Sequence, residues 1–164
     1  MKVFLRANGK EIPVEISEDD YAALTAVTGY ERQPHGTYWY NDASGTFIDN
    51  DEDDEVDTEQ YDYGNYYSLE SVARANARAD KLMRQMRRFA ALHGGCKSPI
   101  EFGYVITWSS LPSESFKILG ASSDSFSFGS VKFASIEAAT AAVKEFKEEL
   151  HWYFTEYSPM PRKD

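Results

Sequence analysis

The sequence predicts an α+β fold in which antiparallel hairpins and a three-stranded meander pack with two long amphipathic helices. Short apolar runs bounded by turn residues recur at both ends of the chain, and two longer segments have apolar side chains at helical spacing. The order of these elements fits antiparallel pairing rather than βαβ units. Hydrophobic residues form 42% of the 164 residues and aromatic residues 15%, which excludes a wholly disordered chain because a sizeable core can be built.

Two hairpins with a short helix between them are predicted for the N-terminal part. Residues 3–5 and 12–16 flank an Asn-Gly pair, which favours a tight primed turn. Pro13 has no N–H to donate, so the second strand is predicted to lie at a sheet edge. A serine followed by three acids begins a short helix over 17–29, which a glycine ends. The second hairpin covers residues 37–48, with a longer polar loop.

The longest predicted helix runs from Leu69 to His93, with Ser68 as its N-cap and a Gly-Gly pair behind it as a stop. One face of this helix is apolar, and the remaining surface is strongly cationic. Its bases, opposed only by Glu70 and Asp80, are Arg74, Arg78, Lys81, Arg84, Arg87 and Arg88.

A meander and a second long helix are predicted for the rest of the chain. The strands are residues 102–108, 115–119 and 125–133, with a bulge at Gly129 in the third. The helix begins after Ser135 and has the most regular amphipathic pattern in the chain. Its apolar positions are Ile136, Ala139, Val143, Phe146, Leu150 and Tyr153.

Acidic residues are concentrated in one segment. The chain has 27 acids against 17 bases, for a net charge of −10, and the run from Asp49 to Asp62 contributes nine acids and no base. Like charges at this density favour an extended, solvated segment unless a partner neutralises them. The chain therefore divides into hairpins and a short helix at 1–48, an acidic segment at 49–67, and the basic helix, meander and C-terminal helix at 68–164.

Several classes of protein are excluded by simple features of the sequence. A single cysteine excludes an intrachain disulfide framework and a zinc site built from paired thiolates. The apolar runs are far too short to cross a bilayer, and charge interrupts residues 1–6 too soon for a secretory signal. We therefore expect a soluble protein of a reducing compartment, with no membrane as a partner.

No catalytic chemistry is predicted. A calcium loop begun at Asp49 would have Asp54 where the loop needs glycine and Gln60 where it needs a closing glutamate. Cys96 lies near the C-terminal end of a helix, where the dipole disfavours a thiolate, and His93 has no visible orienting partner. Phosphate-binding loops and nucleophile elbows are absent from the sequence. We expect no enzyme, and no catalytic residue, metal or cofactor.

Two charged features are candidate binding sites. The first is the acidic run with its tyrosines, which suit contact with a basic protein surface; its residues are Asp49, Asp51, Glu52, Asp53, Asp54, Glu55, Asp57, Glu59, Tyr61, Asp62 and Tyr63. The second is the cationic helix, whose bases can bind phosphates; these are Arg74, Arg78, Arg84, Arg87 and Arg88. A third interpretation is that the acids fold back onto Arg74, Arg78 and Lys81 and neutralise both fields.

Three stretches resemble a family of small accessory proteins encoded by bacteriophages and prophages, chiefly of Gram-positive bacteria. The first is YWYNDASG at 38–45. The second is GNYYS at 64–68, which opens the Arg-rich helix through RRFA at 87–90. The third and most specific runs from VKFAS at 131–135 to FKEELHWYFTEY at 146–157. Together they cover about half of the chain, and no catalytic motif accompanies them.

The resemblance implies a phage accessory protein that acts in the host cytoplasm. Small acidic phage proteins often block host defence nucleases by occupying the basic groove meant for DNA or RNA, an analogy of origin and charge rather than of motif. The leading prediction is a non-enzymatic, anti-CRISPR-like protein that binds and inhibits a CRISPR-type nuclease of the host through the acidic run. The alternative is a nucleic-acid-binding accessory protein that uses the Arg-rich helix.

Overall fold

The computed structural model describes residues 2–7, 10–15, 28–98, 101–110, 115–121 and 131–159. Within them the strands are β1 (Lys2–Ala7), β2 (Lys10–Glu15), β3 (Thr37–Asn41), β4 (Thr46–Asn50), β5 (Gly103–Ser109) and β6 (Ser115–Ala121). The helices are α1 (Glu55–Asp62), α2 (Glu70–His93), α3 (Ile136–Glu145) and α4 (Lys147–Thr155). The strands form three two-stranded antiparallel sheets, each from strands adjacent in sequence. The predicted α+β class with antiparallel hairpins is confirmed.

Both predicted N-terminal hairpins are present. In the first, Ala7 pairs with Lys10, which leaves the two-residue connection that an Asn-Gly turn requires. Pro13 lies opposite Phe4 in this two-stranded sheet. In the second hairpin, the register runs from Thr37 opposite Asn50 to Asn41 opposite Thr46. The short helix predicted for 17–29 lies, up to residue 27, outside the described residues.

Helix α2 joins two apolar clusters. Near its N-terminus, Val72 and Ala73 are buried with Tyr67 and pack against the half-buried Trp39 of β3. At 24 residues, α2 is about 36 Å long, and its second half lies in a larger cluster with β5, β6, α3 and α4. The buried members of that cluster are Leu82, Met86, Ala90, Phe133, Ala139, Ala142 and Leu150.

The predicted N-cap of α2 is wrong by one residue, whereas the predicted stop is correct. Leu69 is the N-cap and makes no side-chain capping bond. The hydroxyl of Ser68 donates instead to Glu31 Oε2 at 3.0 Å, a residue 37 positions earlier in the chain. At the other end, Gly94 adopts φ 100°, the left-handed conformation that glycine adopts without strain.

The predicted single C-terminal helix is wrong, because the helix breaks at Phe146 into α3 and α4. Phe146 has φ −110° and ψ 24°, yet its N–H still donates to Ala142 O, and its carbonyl accepts from Leu150 N–H. The break is therefore a kink. Neither proline nor glycine lies there; the Phe146 ring packs edge-on against Phe89 of α2, with centroids 5.6 Å apart. Of the two long helices predicted, one is present as α2 and the other is this kinked pair.

The predicted meander is found only in part. Its first two strands correspond to β5 and β6. Of the third, Phe133 forms isolated antiparallel bridges with Tyr104 and with Gly95, while residues 131–132 belong to no strand. The predicted strand residues 125–130, with the bulge at Gly129, lie outside the described residues. In the part of the chain that is described, the sheet therefore has two strands and a single bridge on the β5 edge.

The prediction of an extended acidic segment is wrong. Its first two residues end β4, a short turn follows, and residues 55–62 form α1. Asp51 and Asp57 are buried, although both are acids in a run of acids. Both carboxylates accept hydrogen bonds from groups inside the protein. These bonds order a segment that its composition alone predicts to be extended and solvated.

The two leucines of α2 differ in burial, so we expect substitutions at them to differ in their effect on stability. Leu82 is 1% exposed and Leu92 is 67% exposed. We expect Leu82→Ala to lower the free energy of unfolding by about 3 kcal/mol because it leaves a cavity between the helices. We expect Leu92→Ala to change it by less than about 0.5 kcal/mol. Urea unfolding followed by circular dichroism checks both; equal effects would contradict the placement of α2.

Candidate functional site

A buried carboxylate connects the end of β4 to the rest of the N-terminal part. Asp51 Oδ2 accepts from Arg32 Nε at 3.1 Å and from the Tyr66 hydroxyl at 3.0 Å. Its Oδ1 accepts from Arg32 Nη2 at 3.3 Å and from the N–H of Asp53 at 2.9 Å. These donors, the Arg32 guanidinium first among them, lower the pKa of Asp51. Asp51 is therefore held ionised inside the fold.

A second buried carboxylate positions α1. Asp57 Oδ2 accepts from the backbone N–H of Glu52 at 2.7 Å and of Asp54 at 3.4 Å. In return, Asp54 Oδ1 accepts from the Asp57 N–H at 3.0 Å, which completes a capping box. Asp57 also hydrogen-bonds the Tyr38 hydroxyl; burial first, and then this bond, raise the pKa of Tyr38. The start of α1 is thus fixed by side chains of the acidic run itself.

Tyrosines form the layer beneath this segment. Tyr38 and Tyr66, both 1% exposed, stack with their rings 4.2 Å apart and 7° from parallel. Tyr61 of α1 lies edge-on to Tyr66 at 5.7 Å, with its own ring still 43% exposed. Tyr63 is 81% exposed. Of the predicted contact tyrosines, Tyr61 is therefore partly a packing residue, whereas Tyr63 lies on the surface.

Seven carboxylates of the run are exposed, and together with Tyr61 and Tyr63 they form what we call the acidic face. On α1, Glu55, Glu59 and Asp62 follow a spacing of four and three residues, so they form one stripe about 10 Å long. Asp53 precedes them in the left-handed conformation, φ 60°, which aspartate tolerates. The seven exposed acids are Asp49, Glu52, Asp53, Asp54, Glu55, Glu59 and Asp62.

Bases neutralise little of the acidic face. No Lys or Arg occurs between Arg32 and Arg74, a stretch with eleven acids. Arg32 Nη2 contacts Asp53 Oδ1 at 3.0 Å, in addition to its pair with Asp51. The alternative in which the acids fold back onto the basic helix is wrong for its first two arginines. Arg74 pairs with Glu70 at 2.7 Å, and Arg78 pairs with Glu149 at 2.8 Å.

The charges of the α1 stripe oppose the stability of the helix. Glu55 and Glu59 are four residues apart and Glu59 and Asp62 three, so each pair of like charges costs about 0.2–0.5 kcal/mol. Asp62 also lies in the last turn, which has no base, beside the negative end of the helix dipole. The capping box and the buried side of α1 compensate for this cost. Glu55 lies in the first turn, where its charge favours the helix, so the cost falls on Glu59 and Asp62.

The arginines of the second predicted site, on α2, differ in their contacts: Arg74 and Arg78 form ion pairs within the protein, whereas the others do not among the described residues. All five of its arginines are exposed. Arg78, besides its pair with Glu149, lies over the ring of Trp152 at 4.0 Å. The ion pairs of the described residues include none with the remaining bases, Lys81, Arg84, Arg87 and Arg88.

The side chains considered for catalysis have structural contacts. Cys96 Sγ lies 3.6 Å from Phe102 O, and burial raises the pKa of its thiol. The His93 ring packs on Phe89 with centroids 4.4 Å apart. Across the described ranges, no three His, Cys, Asp or Glu side chains are grouped to hold a metal ion. No helix among the same residues is long and apolar enough to cross a bilayer.

Three residues that build the site are not among those predicted from the sequence. Arg32 holds Asp51, while Glu31 accepts from Gly29 N–H at 3.0 Å and from Ser68. Asn65 hydrogen-bonds the backbone of β3. Only Arg32 left a signal, since it is the last base before the long stretch of acids. The contacts of Glu31 with Ser68 and of Asn65 with Asn41 join residues more than 20 positions apart, and no local pattern predicts them.

Comparisons with known proteins do not identify a relative. Protein families, curated proteins and solved structures give no match to this chain. The resemblance to phage accessory proteins therefore stays a prediction.

Two carboxylates with lowered pKa values, the half-buried Glu31 and the buried Asp51, predict acid sensitivity. Burial alone would raise the pKa of Glu31, but hydrogen bonds, chiefly from Thr28, lower it to about 2, and the pKa of Asp51 is lowered as well. A lowered pKa contributes stability above the unfolded value of about 4, and that contribution is lost as pH falls through the folded value. We therefore expect the wild-type protein to lose stability between about pH 4 and pH 2.

Asp51→Asn tests this interaction. We expect the variant to lose about 3 kcal/mol of unfolding free energy at pH 7, because Arg32 loses its buried charged partner and keeps only the exposed Asp53. The difference from the wild type should shrink below about pH 4. The exposed neighbour Glu52→Gln is the control, with an expected change under about 0.5 kcal/mol. Urea unfolding at pH 7 and pH 3 checks both variants; a difference that does not depend on pH would contradict the role of the Asp51 charge.

Proposed function

We propose that the protein binds the basic, nucleic-acid-binding groove of another protein and thereby excludes nucleic acid from it. The observation that supports the proposal is the acidic face: seven exposed carboxylates on a folded cap and helix, in a stretch without Lys or Arg. Such a surface attracts basic surfaces and repels phosphates. The protein would act by competition, without chemistry of its own.

The charge density of the α1 stripe fits this role. Three carboxylates over about 10 Å give a spacing near 5 Å, and a DNA strand has one charge per about 3.4 Å. The segment is ordered by Asp51 and Asp57 before any partner arrives. A preformed surface binds without the entropy cost of ordering a disordered acidic tail.

The tyrosines and the cost of the stripe favour a protein as the partner. Tyr63, 81% exposed beside Asp62, is the type of side chain that anchors protein interfaces. The like charges along α1 destabilise the helix, and conflicts of this kind between stability and surface charge are typical of functional sites. Solubility alone does not require acids aligned on one helix face.

The partner class follows from the resemblance described above. It implies a phage accessory protein, and we propose a CRISPR-type defence nuclease of the host as the bound protein. Such a nuclease holds its nucleic acids in a positively charged channel, which the acidic face complements in sign.

Replacing four acids of the acidic face tests the proposal. The variant combines Glu52→Gln, Glu55→Gln, Glu59→Gln and Asp62→Asn. It leaves the buried Asp51 and Asp57 unchanged, so we expect it to fold. We expect the dissociation constant for guide-loaded CRISPR nucleases of Gram-positive hosts to rise roughly 100-fold, which is about 2.7 kcal/mol. Biolayer interferometry at two salt concentrations measures the affinity, and competition with target DNA measures the exclusion.

A matched variant controls for net charge. Four exposed acids outside the acidic face, Asp80, Glu145, Glu148 and Glu156, change the total charge equally when neutralised. We expect that variant to bind within about threefold of the wild type, since distant exposed charges are screened. If both variants lose affinity equally, or neither does, the proposal fails. If the wild type instead binds DNA or RNA at low salt through Arg84, Arg87 and Arg88, nucleic-acid binding replaces it.

A single substitution should separate binding from stability. Glu59→Lys turns two repulsive pairs on α1, with Glu55 and Asp62, into attractive ones, so we expect the unfolding free energy to rise by roughly 1 kcal/mol. The same variant should bind the nuclease more weakly. Glu148→Lys, in the first turn of α4, should give no gain in stability because a base there opposes the helix dipole. Thermal unfolding and interferometry measure the two effects; a destabilised Glu59→Lys would contradict the repulsion.

A further inference from the structure

The outer edge of β3 is covered by the rest of the chain. Trp39 N–H donates to Tyr67 O at 2.8 Å, and Trp39 O accepts from Tyr67 N–H at 2.9 Å. Two residues on, Asn41 N–H donates to Asn65 Oδ1 at 2.9 Å, and Asn65 Nδ2 donates to Asn41 O at 3.0 Å. One backbone position and one side-chain amide thus take the place of a third strand along β3.

These bonds determine the direction of the backbone groups of β4. Trp39 lies opposite Ile48, and Asn41 lies opposite Thr46. Because Trp39 and Asn41 direct their N–H and C=O groups away from β4, both are non-hydrogen-bonded pairs of the antiparallel ladder. The N–H and C=O groups of Ile48 and Thr46 therefore point outward, along the second edge of the hairpin.

That second edge is unpaired among the described residues. Ile48 is 60% exposed and Phe47 40%, and no described residue hydrogen-bonds the backbone of Ile48. An unpaired strand edge is a template for pairing with another chain, and proteins commonly protect it with charges. Here the adjacent charges, Asp49 and Glu52, are all negative. They disfavour a second copy of this chain and favour a basic strand.

We propose that β4 accepts an extended, lysine- or arginine-rich segment of the partner protein as a third strand of the β3–β4 sheet. Main-chain bonds to Ile48 and Thr46 would hold the segment in register, as in other cases of strand addition, and its basic side chains would reach the acidic face. The charge of the segment rests on the proposed function, whereas the open edge rests on the backbone geometry alone.

A synthetic peptide tests the strand addition directly. The probe is Lys-Val-Lys-Thr-Lys-Val-Lys-Thr-Lys with a fluorescent label, and its binding is measured by anisotropy. N-methylation of two adjacent central residues blocks both edges of the peptide, so we expect affinity to fall roughly tenfold or more. Methylation of one residue leaves one edge free, and affinity should stay within about twofold of that of the unmodified peptide.

Substitutions at Ile48 test the same edge from the other side. Ile48→Pro removes an N–H that points outward and is not used by β3, a position where an edge strand tolerates proline. We expect it to weaken peptide binding roughly tenfold. Ile48→Thr keeps the N–H and should bind within about twofold of the wild type. Amide NMR spectra verify that both variants fold, and the methylated peptides decide the question if Ile48→Pro does not.

The outcomes separate this inference from the proposed function. If peptide affinity falls with salt but does not change on methylation of the peptide or with Ile48→Pro, strand addition is overturned and the proposed function of the acidic face stands. A peptide with serine in place of lysine that binds equally well keeps strand addition but overturns the basic partner. No binding of the lysine peptide overturns the inference. An effect of Ile48→Pro on oligomeric state alone identifies a second copy as the occupant and also overturns it.

Discussion

The buried Asp51 carboxylate is the contact on which the N-terminal part of the structure depends. It joins the loop that contains Arg32, the end of β4 and the segment that contains Tyr66. A buried charge is costly unless it is paired and hydrogen-bonded, and Asp51 has a guanidinium, a phenol hydroxyl and a backbone N–H. Because Asp51 is three residues before the N-cap Asp54, fixing it also sets where α1 begins.

Much of the fold could be predicted because its signals are local. The Asn-Gly pair predicts a two-residue connection, with which the register of β1 and β2 agrees, and Gly94 ends α2 in the conformation that glycine favours. The predictions are wrong where contacts between residues distant in sequence determine the local structure. Ser68 donates to Glu31 and makes no capping bond to the helix, and Phe146, packed on Phe89, interrupts an apolar pattern that is continuous in sequence.

The candidate site was located in the sequence but its internal structure was not. A run of nine acids gives no means to tell Asp51 and Asp57, which hold the fold, from Glu55 and Glu59, which face solvent. The distinction depends on Arg32 and on backbone N–H groups that turn inward only once the segment has folded. The composition therefore indicates an extended segment, whereas the structure has a capped helix.

The β3–β4 hairpin brings the two surface features together. Its β3 side is closed by Tyr67 and Asn65, and its β4 side is open and leads directly into the acidic face. In the proposed function, the same acids would have two effects there: they would disfavour pairing with a second copy of the chain, and they would attract a basic surface. The negative charges of Asp49 and Glu52 thus lie beside an exposed strand edge, where they would favour basic partners over acidic ones. An edge protected by lysine would be equally soluble, but it would select the opposite kind of partner.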